Sequence, residues 1–211
     1  MIALVNSLNT LTPGNKNKLH HHQTMQNRDK LIEFVKEQHG AQVRKYTGEP
    51  YFNHLIAVAE MAEKTGVQYG WEIGLCHDLL EDTECSYSDL NHFLHKSCNY
   101  SLFSAINISD NVWDLTDVFT HEAFPYLNRS IRKQCEALRL HTISRTAQIV
   151  KCCDLIDNTK SIVAHDPGFA VKYLAEKREI LKGFTKIDGA IKSEIWNVLL
   201  DAETELGLTT L

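Results

Sequence analysis

Residues 75–83 read LCHDLLEDT, and no other stretch so limits what this chain can fold into. It sets a histidine and three carboxylates into an otherwise apolar segment, so a helix running through it carries charge toward a core. Residues four apart stack on one helix face, which places His77 over Glu81 and Asp78 over Asp82, with Asp78 and Glu81 also neighbours at three. Carboxylates crowded in this way repel one another, and burying them unpaired costs several kcal/mol each unless a cation holds them. The fold must therefore bring a counter-charge here, and a divalent metal is the simplest one.

The rest of the chain can supply such a fold. With 211 residues, 43% apolar and 23% charged, it has the size and apolar content of one globular domain. Four prolines, ten glycines and few strictly alternating segments favour helix. The expectation is an all-α, single-domain bundle of about eight helices. Thr24 is read as the N-cap of a helix over 25–39 ended by Gly40, and a helix led by Pro50 runs to Gly66. Further helices are expected over 69–82, in SDLNHFLHK with Ser86 or Ser88 as its cap, and near 101–118, 129–142, 143–160, 168–184 and 186–205. Residues 1–24 contain Pro13-Gly14, NKNK and His20 to His22 without helical periodicity, and read as a flexible polar leader ahead of a domain over 25–205.

Several function classes are disfavoured. A net charge of −5 with scattered Lys and Arg gives no attraction to nucleic acid. The six cysteines contain no CxxC and read as reduced, buried thiols. No apolar run reaches bilayer length and the start lacks a secretory signal, so a cytoplasmic protein with no membrane partner is expected. Nothing indicates the oligomeric state.

Two further helices carry matching chemistry. His54 sits among Phe52, Leu55 and Ile56, one turn after Tyr51. In TAQIVKCCDLIDNTKSIVA, the residues Lys151, Asp154, Asn158 and Ser161 make a polar line at spacings of 3, 4 and 3. Alone, a histidine on an apolar face is more often a hydrogen-bonded core residue, and an aspartate there a salt-bridge partner. Together they give the order H…HD…D: His54, His77-Asp78 and Asp154. Two imidazoles and two carboxylates suit Mn²⁺, with Fe²⁺ or Zn²⁺ as alternatives, and leave positions for water and a phosphate oxygen. A second His-Asp pair, His165-Asp166, precedes Pro167-Gly168 and reads as a turn or helix cap.

This order is the signature of HD-domain metal-dependent phosphohydrolases, and the likeness extends beyond it. RKYTGEPYFNHLIAVA resembles the RK…GEPY…HP…VA segment of the hydrolase domain of RelA/SpoT proteins and of the small alarmone hydrolases. GLCHDLLEDT is similar to their LLHDxxEDT, VWDLTDVF to their V…LT helix, and IVKCCDLIDNT to their xxKLADRLxN. The resemblance spans roughly residues 28–190.

It implies that His54, His77, Asp78 and Asp154 hold Mn²⁺, and that Glu81 and Asp82 position and deprotonate the attacking water. Arg44 and Lys45 then lie near the substrate's phosphates, Asn158 contacts the nucleotide with Lys151 on the same polar line, and Tyr173 packs near the nucleoside. The chain departs from the pattern with one extra residue in RKYTGEPY, Leu55 for a proline, and Asp157 for an aromatic residue or histidine; these bear on substrate choice. Arg129, Arg132, Lys133, Arg139 and Arg145 are candidates for a lid over the phosphates.

The expected activity is removal of the 3′-pyrophosphate of (p)ppGpp, the messenger of the stringent response, to give pyrophosphate and GDP or GTP. With no room for a synthetase domain and no Gly-rich nucleotide loop, the chain is expected to degrade the messenger and not to make it. The alternative keeps the site and changes the nucleotide: NADPH 2′-phosphate, an adenosine alarmone or a deoxynucleotide triphosphate. A reading of another class, a regulatory protein with a relic site, predicts that no metal is bound.

Overall fold

Side-chain caps fix where most of the helices begin. Ser86 accepts from the Asp89 N–H in a reciprocal capping box at the start of α5 (Tyr87–Lys96). Ser101, Asn128 and Ser144 cap α6 (Leu102–Leu115), α7 (Arg129–Leu140) and α8 (Arg145–His165) through the N–H groups of Ser104, Ile131 and Ala147. Asp166 caps α9 (Pro167–Lys182), which opens with its proline, so the second His-Asp pair is a helix cap. Ser88 lies inside α5 and caps nothing.

The structure, a computed structural model, describes residues 13–187 and 189–208, with side chains from residue 25 onward. The remaining helices are α1 (Pro13–His39), α2 (Phe52–Lys64), α3 (Gly70–Cys76), α4 (Leu79–Asp82) and α10 (Gly189–Glu205). Among the described residues there is no strand, only an isolated bridge between Val43 and Pro50. The all-α expectation holds.

The helices depart most from expectation at two places. The first helix starts at Pro13 and not near residue 25, so Thr24 is not a cap, and the backbone of 13–24 continues the helix. A proline is pre-organised for a first helical turn, and a following stretch that is polar on every side leaves no period to read. Residues 1–12, the rest of the expected leader, lie outside the described residues.

The helix expected over 69–82 breaks at His77-Asp78 into α3 and α4. The His77 ring Nδ1 engages the Gly74 carbonyl at 2.7 Å, the acceptor that the Asp78 N–H would use in an unbroken helix.

The core centres on α8, which packs against α2, α3, α6, α9 and α10. It is buried along most of its length, from Ala147 and Val150 through Cys152, Cys153, Leu155 and Ile156 to Val163. A helix buried on most of its sides belongs in the middle of a bundle, and this placement carries Asp154 inward. Gly74 lets α3 approach α2: a Cβ there would stand 2.8 Å from the Ala59 Cα and 3.0 Å from its nitrogen. That close approach sets His77 beside His54. The six cysteines are unpaired, all but Cys135 buried. No helix among the described residues is long and apolar enough to cross a membrane.

Candidate active site

His54 enters the core from the first turn of α2. Ahead of it, residues 42–51 fold back on themselves: the Tyr51 N–H donates to the Gln42 carbonyl at 2.9 Å and the Arg44 N–H to the Glu49 carbonyl at 2.9 Å. This turn aims Tyr51 at the break between α3 and α4, and Arg44 at the helix that carries Asp154. The Tyr51 hydroxyl donates to Asp78 Oδ2 at 2.6 Å, and the Arg44 guanidinium donates to Asp157 and, at 3.1 Å, to Asn158 Oδ1.

The two imidazoles meet edge to face with ring centres 5.1 Å apart. Each is only 1% or 2% exposed, and each has one nitrogen engaged: His54 Nδ1 with Asp157 Oδ2 at 2.7 Å, His77 Nδ1 with the Gly74 carbonyl. With Nδ1–H donating, Nε2 presents a lone pair. Both Nε2 atoms are buried and lack a hydrogen-bond partner.

They point at carboxylates. His77 Nε2 lies 3.0 Å from Asp78 Oδ2 and 3.7 Å from Asp154 Oδ1; His54 Nε2 lies 3.7 and 3.4 Å from the same two atoms. His54, His77 and Asp78 can offer ligand atoms all within 4.8 Å of one another, a candidate metal-binding group. Ligand-type atoms from four side chains that converge within 3.0 to 3.7 Å are arranged for a shared cation.

The fourth expected ligand is held from behind. Asp154 Oδ1 accepts from Asn158 Nδ2 at 2.6 Å, and Oδ2 faces Lys151 Nζ at 2.9 Å. Burial disfavours the charged forms of both acids, but Lys151 holds Asp154 well below the carboxylate range, and His77 does the same for Asp78. Burial likewise opposes protonation of the imidazoles, yet Asp154 and Asp157 raise His54, and Asp78 with Asp154 raises His77 to about 10. The cluster therefore attracts positive charge, by proton or by metal.

Glu81 and Asp82 flank a cavity of about 280 Å³ that also touches Tyr51, Asp78, Asp117, Lys151, Asp154, Asn158, Tyr173 and Lys177. Glu81 Oε2 accepts from the Asp117 N–H at 3.1 Å. Although Glu81 reaches solvent, the protein around it and then repulsion from Asp117 push its carboxyl up to about 7. Asp82 Oδ2 accepts from Gln42 Nε2 at 3.2 Å, and burial followed by Asp78 raises its pKa.

The structure thus brings His54, His77, Asp78, Glu81, Asp82, Lys151, Asp154, Asn158 and Tyr173 to one place, with Arg44 tied to it through Asn158. Lys45 is separate: it is exposed, its ammonium 4.9 Å over the ring of its own neighbour Tyr46. Of the basic residues in 129–145, Arg129 pairs with Glu176 and Arg139 with Glu136, while Lys133 reaches the cavity wall through Asp117 at 2.7 Å.

Residues not singled out beforehand also shape the site. Tyr51 precedes His54 by one turn, a spacing that could have flagged it. Asp157 was visible only as a departure from a motif, and Lys177 only as the residue four past Tyr173.

No family model matches the chain. The guanosine-3′,5′-bis(diphosphate) 3′-pyrophosphohydrolase of Aquifex aeolicus (strain VF5) is 40% identical over 72 residues, which are 34% of this chain and 10% of that protein. A solved structure, described as a metazoan ortholog of SpoT that hydrolyses ppGpp and plays a role in starvation responses, covers 87% of this chain and 97% of its own, with a TM-score of 0.66 and 20% identity. This chain shares its fold. The expected similarity to RelA/SpoT-type hydrolases is borne out by both relatives, while the stretch matched in the Aquifex protein is about a tenth of that protein's length.

Proposed function

We propose that this chain is a metal-dependent hydrolase that removes the 3′-pyrophosphate of (p)ppGpp, and that residues 25–205 form its catalytic domain. The observation that carries the reading is the pair of buried, partnerless Nε2 atoms of His54 and His77 facing Asp78 and Asp154. These four side chains fit a borderline divalent ion, and we assign them to Mn²⁺ with Fe²⁺ or Zn²⁺ as alternatives. Such an ion, when bound, polarises a phosphoryl oxygen and brings the pKa of water toward neutrality.

The chain's own groups do the rest. Glu81, raised toward neutrality, accepts the proton of the attacking water, and Asp82, anchored by Gln42, orients that water. Water oxygen bonds to the phosphorus next to the ribose and the P–O3′ bond breaks. The 3′-oxygen takes up a proton equivalent to the one Glu81 received, and the products are pyrophosphate and GDP or GTP. Asn158 and Lys151 hold Asp154 in place and present their remaining donors to the nucleotide. Arg44 offers the free part of its fork to the substrate, Tyr173 borders the nucleoside, and Lys45 adds charge from its exposed turn through solvent. The partner is a small nucleotide, and the setting is a reducing cytoplasm, where unpaired buried cysteines persist.

Incubation of the protein with Mn²⁺ and ppGpp, followed by pyrophosphate release, tests this. Turnover is expected, and a rate no higher than that of His77→Ala contradicts it. The second reading keeps the site and changes the nucleotide, to NADPH 2′-phosphate, an adenosine alarmone or a deoxynucleotide, and a substrate panel separates it.

A further inference from the structure

The acids of the cavity face a wall with the opposite deficit. Lys177, on α9, lines the cavity half-buried and makes no hydrogen bond or ion pair with any described residue; its Nζ sits 5.0 Å from the centre of the Tyr173 ring. The two lysines nearest it in charge are already engaged, Lys151 by Asp154 at 2.9 Å and Lys133 by Asp117 at 2.7 Å. Burial, then repulsion from Lys151 and Lys133, pushes the Lys177 ammonium down to about 8. A cation held under those conditions gains more than an exposed one when an anion arrives.

A second group has the same need. Tyr173 is 7% exposed, lines the same cavity, and its buried hydroxyl lacks a hydrogen-bond partner. The neighbouring Thr159 hydroxyl commits its proton to the Leu155 carbonyl at 2.6 Å, so it has none to donate to an incoming anion. Tyr173 and Lys177 are four apart on α9 and so lie on one face. An ammonium and a phenol hydroxyl without acceptors, on the wall of a cavity whose other wall collects metal-type donors, call for anionic oxygens and not for a second cation.

We propose that Lys177 and the Tyr173 hydroxyl form an anion subsite for the distal phosphate of a substrate diphosphate, making the site selective for nucleotides that release pyrophosphate over those that release phosphate. This rests on the hydrolase reading above. The reacting phosphorus belongs beside Asp78, Asp154 and Glu81. A phosphate monoester placed there leaves Lys177 and Tyr173 without acceptors, whereas a diphosphate extends to them. A site with buried donors discriminates against a ligand lacking the matching acceptor, because those donors are then unpaired.

The test is equilibrium binding of inorganic pyrophosphate and of inorganic phosphate to the Mn²⁺-loaded full chain, with thermal melting and metal content as controls for folding. Lys177→Met, or Lys177→Gln should the methionine variant not fold, is expected to lower the ratio of pyrophosphate to phosphate affinity by about 10- to 100-fold, the worth of one charge-assisted hydrogen bond. Lys177→Arg restores most of the ratio, Tyr173→Phe lowers it by about fivefold, and kcat/KM for ppGpp follows the same order. An unchanged ratio in Lys177→Met and Lys177→Gln overturns the subsite. Binding is read without turnover, so a wild-type chain that binds pyrophosphate selectively but hydrolyses no nucleotide defeats the hydrolase reading and leaves the subsite standing.

Discussion

Glu136 and Asp154 are both buried acids, 2% and 5% exposed, and the protein surrounds them in opposite ways. Glu136 Oε2 accepts from the N–H groups of Val118 and Phe119 at 3.1 and 3.0 Å, and Oε1 accepts from Arg139 Nε at 2.8 Å. Arg139 in turn donates to the Asp114 and Thr116 carbonyls, so the network closes and fastens the connection after α6 to α7. Asp154 also has two donors, yet its Oδ1 still faces two imidazole nitrogens that have no partner. Burial of charge does not by itself distinguish a functional cluster from a structural one; groups left over after every local partner is counted do.

Substitutions at the two places should therefore fail differently. The largest effect on turnover is expected from His77→Ala, which removes one of the two orphan nitrogens: pyrophosphate release from ppGpp falls to background. Next is Glu81→Gln, expected to lower kcat by about 10²- to 10⁴-fold with metal content unchanged.

Glu81 also sets the pH dependence. It must be ionised to accept a proton, so activity falls as pH drops through its pKa; burial and Asp117 raise that pKa to about 7, and a bound dication draws it back toward the ordinary range. A rate profile of the wild type should show this acid limb, and the glutamine variant should lack it.

Asp157→Asn should act more mildly. Its carboxylate fixes His54 with Nδ1–H donating and at the same time grips Arg44, and loss of such a partner weakens metal binding by about 10- to 100-fold, measurable by metal titration. At the closed cluster, Glu136→Gln should leave kcat unchanged and lower unfolding stability by about 2 kcal/mol, measurable by urea denaturation. Loss of activity there without loss of stability would erase the contrast between the two regions.

The legible part of the site was the part written in residue types. Histidines and aspartates placed in apolar helices have few reasons to be there, and His54, His77, Asp78 and Asp154 do converge. Helix starts marked by Ser86 or Asp166 were legible too, since the cap and the N–H it serves lie within three residues. The break at His77-Asp78 was not, because a side chain competing for a backbone carbonyl leaves no trace in periodicity.

Nor was the link from Arg44 through Asp157 to His54, which joins residues up to 113 positions apart. Nor did adjacency in the sequence show that Arg44 and Lys45 part company, one reaching Asp157 and the other lying over the Tyr46 ring.

Metal content of the purified chain at neutral pH without chelator is the most direct test, measured alongside His77→Ala. One divalent ion per wild-type chain and a marked loss in the variant are predicted. A wild-type chain that binds none when Mn²⁺, Fe²⁺ and Zn²⁺ are each supplied in excess would contradict the account at its centre.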